Sequence, residues 1–348
     1  MSETLGNLRR KMDGAGKLGS VVRTMKALAA SNIGQYENAV RSLADYHRTV
    51  QLGLAAFFRQ DRASALPGSP GTRPSLAVGR ASALHGSPGT RPSLAVDRAS
   101  AIPGSPGTRP SLAVDPEGQE RMGKKTVGAV VFGSDQGLVG KFNEELTDFT
   151  VDALGALPGE KKIWAVGERL HSRLQDAGLP PQGVFAVPNS VTAITPLIGR
   201  ILTEFEGPQQ KGEVGQVFLF HNRPMSGSIY EPVSQRLLPL DEKWRREFTE
   251  VRWPTSNLPE ILVDGEATLQ ALIREYLFVS LFKACAESLA SENASRLAAM
   301  QRAEKNIDEL LEDLNRTFHR LRQSTIDEEL FEVIAGYESL SVKEAVGG

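Results

Sequence analysis

The chain has 348 residues, 40% hydrophobic and 24% charged, with a net charge of −2 at pH 7. That balance fits a globular protein of one large domain or two smaller ones and excludes bulk attraction to nucleic acid. One cysteine, Cys285, excludes an internal disulfide or a multi-cysteine metal site, and the apolar runs fall well short of the ~20 residues a bilayer span requires.

The first residues, MSETLGNLRRKMDG, lack the apolar core of a signal peptide, so a cytosolic chain is expected. Residues 2–59 contain no proline, and Val22, Met25, Ala29, Ile33, Tyr36, Val40 and Leu43 recur at helical 3/4 spacing. Val50, Leu54 and Phe57 resume the pattern, which predicts one long helix with an apolar seam. Glycines at 14, 16 and 19 weaken its first turns by about 1 kcal/mol each relative to alanine.

Residues 61–114 are three copies of an 18-residue unit, DRASALPGSPGTRPSLAV, varied only at Gly79, His85 and Ile102. The unit is rich in Gly, Pro and Ser and offers too little apolar surface to offset its ordering entropy. It reads as a disordered insertion enlarged by duplication, which loop-closure entropy tolerates cheaply.

Strand and helix patterns then alternate. KKTVGAVVFG, KKIWAVG and GVFAVP read as strands; FNEELTDFTVDALGAL, ERLHSRLQDAG and TPLIGRILTEFE read as helices. QVFLFHN and SQRLLPL add strands, giving an α/β layer with a mostly parallel sheet. HNRPMSGSIYEP, at 221–232, reads as a polar loop. From Glu266 to Ala335 there is neither Gly nor Pro. Leu269, Leu272, Tyr276 and Val279 form one seam there; Ile307, Leu310, Leu314, Phe318 and Leu321 form another. Unbroken, that helix is a rod of roughly 100 Å, and it is expected to pair with the N-terminal helix as an antiparallel coiled coil.

No catalytic site is spelled out. FGSDQGLVGKFN, at 132–143, sits between a strand and a helix as a phosphate loop would. The P-loop pattern fails: Asp135 stands at its first glycine, and Phe142 stands where Ser or Thr would bind magnesium. Gly133 and Gly137 are also too far apart for a dinucleotide fingerprint, so the stretch reads as a structural turn. His47, His85, His171, His221 and His319 are scattered, and Cys285 lies among apolar residues. No metal and no cofactor is therefore expected.

VVRTMKALAASNIGQY (21–36), SDQGLVGKFN (134–143), SENASRLAAMQRAEKN (291–306) and RLRQSTIDEELFEVIAGYESL (320–340) together resemble the gamma subunit of rotary F-type ATP synthases. The N-terminal MSETLGNLRRKMDGAGKLGSVVRTMKALAAS looks closest to the alternate, N-type bacterial enzymes. The resemblance implies a Rossmann-like α/β foot at 116–258, terminal coiled-coil helices at 1–60 and 259–348, and the insertion at 61–115. It implies a non-catalytic rotor shaft in a ring of alpha and beta subunits, standing with epsilon on a membrane c ring that carries protons or sodium. Its place would be peripheral, on the cytoplasmic face of the bacterial inner membrane.

Carried over residue by residue, Met25 and Lys26 match a position facing an acidic lever of a beta subunit. Arg296 and Met300 match the C-terminal segment coupled to it; Arg322 and Gln323 match a pair that bonds a catch loop. Asp327 and Glu329 lie on the same segment, although the family more often has Thr in place of Asp327. The turn fingerprint is Ser134, Asp135, Gly137, Gly140, Phe142 and Asn143. The c-ring contact falls near 258–266, where the family's Tyr-Glu-Pro is absent. The paired cysteines of light-regulated chloroplast subunits are absent too, so no thiol switch is expected. The competing reading is a coiled-coil scaffold without catalytic activity, which would explain the helices but not the motifs.

Overall fold

The structure, a computed structural model, describes residues 4–64, 126–210, 214–225, 228–240, 242–255, 257 and 265–346. Helix α1 spans Leu5–Ser64, so it runs through its early glycines and four residues into the repeat; the rest of the repeat lies outside the described residues. The final helix, α6 below, spans Gly265–Val346. Its 82 residues correspond to roughly 120 Å.

Between them lie β1 (Thr126–Phe132), α2 (Phe142–Gly155), β2 (Lys161–Val166), α3 (Glu168–Asp176), β3 (Gly183–Phe185) and α4 (Val191–Gln210). β4 (Val214–Met225), β5 (Ser228–Leu238) and α5 (Glu242–Thr249) complete the centre. The sheet order is β3-β2-β1-β4-β5, parallel except for the β4–β5 hairpin. The polar loop expected at 221–232 instead falls largely within that hairpin's two strands. Pro232 sits on an edge strand, where a missing N–H breaks no ladder, opposite Asn222.

Alternation along the strands divides the core. Val127, Ala129, Val131, Phe218 and Phe220 face α2 and α3. Val130, Phe132, Val217 and Leu219 face α4 and the 281–290 stretch of α6. The C-terminal helix is thus both half of the rod and a cover for the sheet.

The rod is antiparallel. Lys26 meets Glu304, Asn32 meets Asn293 and Tyr46 meets Glu275, while Gly53 lies beside Leu272. Buried Leu8, Ala15, Val22, Ala29 and Tyr36 recur every seven residues, the period that winds two helices left-handedly. At the base, α5 packs Trp244 and Phe248 against Phe58 and Tyr276, with ring centroids 5.5–5.6 Å apart. Among the described residues no helix is long and apolar enough to cross a membrane.

Candidate interaction surface and its seating

The turn after β1 is held by its own side chains. Asn143 Oδ1 accepts from the Ser134 amide at 3.1 Å, and its Nδ2 donates to Ser134 Oγ at 2.8 Å. Asp135 Oδ1 accepts from the Glu168 amide at the start of α3 (3.0 Å), and Oδ2 accepts from the Val187 amide (2.9 Å). The carboxylate thus caps the N-terminus of α3, the helix that follows β2. A Cβ at Gly133 would lie 2.5 Å from Leu170 Cβ, so only glycine allows α3 this close. Gly140 takes φ +60° as the chain bends back, Gly137 faces open space, and Leu138 adopts φ 64° with its side chain exposed. Buried Phe142 packs edge-on to Tyr230, 5.3 Å between centroids.

In a doubly wound sheet, ligands sit where the strand order reverses, here between the C-terminal ends of β1 and β4. That crevice is filled by α6. Ser288 Oγ donates to Phe132 O at 3.0 Å and Ser291 Oγ to Asn222 O at 3.0 Å; Ser295 Oγ donates to Val139 O. Beside them, His221 Nε2 and Glu287 Oε2 form a buried pair at 2.8 Å. Burial raises the Glu287 pKa, but the bond to His221 and the charges of His221, Lys283 and Arg223 outweigh it, leaving the carboxyl below its ordinary value. Glu292, paired with Arg296 at 2.6 Å, is shifted the other way: burial raises it and Arg296 only partly offsets that. Burial also pushes the Cys285 thiol well up, as expected of a packing residue.

The residues carried over from the resemblance fall into two environments. Met300 is buried against Val22 and Ile307 inside the rod, with Met25 half-buried beside it. Arg296 is turned toward Glu292, mostly out of solvent. Lys26 and Arg23 both bind Glu304 of the facing helix, so the basic face of α1 is engaged within the chain. Arg322, Gln323, Asp327 and Glu329 stand exposed on the far part of α6. There α6 outruns α1 and shows Leu330 (55% exposed), Phe331 (68%) and Val333 (70%) to solvent. Unpaired apolar side chains at that density mark a contact surface.

Sequence reasoning missed a second apolar stripe on α1: exposed Leu18, Val21 and Leu28, in line with Met25. Its 18, 21, 25, 28 spacing was present in the sequence but interleaves with the seam that α6 covers. Most of 258–266 lies outside the described residues. No group of three His, Cys, Asp or Glu side chains converges on a metal-sized site among the described residues.

The geometry defines a stalk protein: a coiled coil rooted in an α/β foot, with its buried polar groups joining the two. A family model described as ATP synthase matches residues 4–340, and the chain belongs to that family. It is 28% identical over 215 residues to an ATP synthase gamma chain of Haemophilus influenzae (strain 86-028NP), covering 61% of this chain and 73% of that one. It is 29% identical over 230 residues to an ATP synthase gamma chain of Parafrankia sp. (strain EAN1pec), covering 64% and 76%. Among solved structures, the mitochondrial ATP synthase rotor of Euglena gracilis shares the fold at a TM-score of 0.56 and 14% identity, covering 93% of this chain and 99% of that one.

Proposed function

We propose that the chain is the gamma subunit of an F-type ATP synthase: the central rotor shaft, without a catalytic site of its own. The observation that carries this is the antiparallel rod of α1 and α6, grown from one sheet face and ending in an exposed apolar tip. A rod of two helices has no threefold symmetry, so inside a ring of alternating alpha and beta subunits it touches each catalytic site differently. Each orientation stabilises a different set of site states, and turning the rod exchanges them. Ion flow, of protons or sodium, through a membrane c ring supplies the turning; ATP hydrolysis reverses it.

In this reading Arg322, Gln323, Asp327 and Glu329 meet the ring from the exposed part of α6. Met25 and Lys26 face a beta lever from the edge of the rod, and Arg296 and Met300 set the rod's shape there from inside. The foot stands on the c ring near 258–266, with epsilon beside it. The complex is peripheral to the bacterial inner membrane, on its cytoplasmic side, and of the N-type.

Co-expression with alpha and beta subunits tests the reading. A stable complex containing this chain, whose immobilised ring rotates a bead fixed to the foot when ATP is added, is expected. Recovery of alpha and beta without this chain, or tight ATP binding by the chain alone, would overturn it.

A further inference from the structure

We propose that Ser288, Ser291 and Ser295, with the Glu287–His221 pair, form a polar spline that locks the rotational register of the α/β foot on the shaft. The four α6 residues lie on one helix face, spaced over about two turns, or roughly 12 Å of axis. Their partners belong to separate segments of the foot: Phe132 O ends β1, Asn222 O and His221 belong to β4, and Val139 O belongs to the turn. Three directional serine bonds and one buried His–Glu contact therefore tie one helix face to several points on the sheet's edge.

Apolar contact alone would not do this. Hydrophobic burial is non-directional, so a helix covering a sheet face with Leu281, Ala284 and Leu289 can rotate or slide at small cost if buried area is kept. Hydrogen bonds lose strength steeply with angle, and a buried carbonyl that loses its donor is left unsatisfied. The bonds sit at the strand-order reversal between β1 and β4, where doubly wound sheets usually hold a ligand. Here the helix takes the ligand's place and the hydrogen bonds a ligand would make. Under the rotor reading, on which this consequence rests, torque entering at the foot crosses to the shaft through these groups, making them positioning residues.

The test uses nitroxide labels on the full chain at two exposed sites, Asp152→Cys on α2 and Gln301→Cys on α6, with Cys285 buried and unreactive. Pulsed electron resonance on the unmodified joint is expected to give one narrow distance. In the combined Ser288→Ala, Ser291→Ala, Ser295→Ala chain the distribution should broaden or split. A control, Thr150→Val, removes a buried hydroxyl whose bond to Leu146 O stays within α2; it should lower the melting temperature and keep the narrow distance. A triple variant that folds and keeps the narrow distance overturns the spline. If the triple variant does not fold, the three single variants decide: broadening in any supports the spline, and none broadening overturns it. In the complex with alpha and beta, the angular fluctuation of a bead on the foot should increase in the variant while ATPase rate without load is unchanged. Failure of that complex to form counts against the rotor reading alone, because the distances are read on the free chain.

Discussion

Asp135 shows how a residue can rule out one function and serve another. From the sequence it is legible only as a group that repels phosphate; its actual partners, the Glu168 and Val187 amides, are 33 and 52 residues away and become neighbours only through the sheet. Asp135→Ala leaves both amides without their acceptor and is expected to cost about 1–3 kcal/mol in urea unfolding. His221 and Glu287 were likewise invisible as a pair. Removing one member of a buried hydrogen-bonded pair leaves the other without its partner, and His221→Ala should destabilise by about 1–3 kcal/mol. The pH dependence has a definite sign. Because the folded-state pKa of Glu287 is depressed, its contribution is full above the ordinary carboxylate value and is lost as pH falls through the folded one. Unfolding of the Glu287→Gln chain should therefore lack that part of the acid sensitivity.

At the scale of elements, the long helices were legible because their seams repeat over many turns, and the parallel strands because short apolar runs alternate with amphipathic helices. Two features were not. The outer part of the β4–β5 hairpin, beyond the strands read in QVFLFHN and SQRLLPL, was masked by Pro224, Gly227 and Pro232, residues that mark loops unless a strand lies at a sheet's edge. Helix α5, EKWRREFT, is too short for periodicity, and its identity rests on Trp244 and Phe248 finding the aromatic base of the rod. The early glycines of α1 remain helical because α6 covers the adjoining seam of Leu8, Ala15 and Val22; of the three, only Gly19 lies against α6. A Cβ at Gly14 or Gly16 would meet nothing within 4 Å, so each Gly→Ala change should stabilise the chain by about 0.8–1 kcal/mol, read as a rise in melting temperature.

For the whole molecule, the division of the carried-over residues decides what each substitution can report. Arg322→Ala and Gln323→Ala alter exposed side chains, so they should leave the free chain's melting temperature unchanged and lower ATPase activity only in the complex with alpha and beta. Met300→Ala empties the buried rod between Val22 and Ile307 and is expected to cost about 2–5 kcal/mol before any partner is present. The repeat is separable on the same grounds. Since α1 reaches Ser64, a deletion of 65–114 spares the helix, and that chain should melt with the full chain and assemble with alpha and beta. Loss of either property would give the insertion a role.

The rod's two helices are synthesised far apart in time. α1 leaves the ribosome with its apolar seam complete, but the helix that covers it begins only at Gly265, about 200 residues later. At roughly 5–20 residues per second, α1 stays uncovered for about 10–40 s, longer than most elementary folding steps take. During translation, α1 is therefore open to chaperone binding, and so is the sheet face that the 281–290 stretch of α6 later covers.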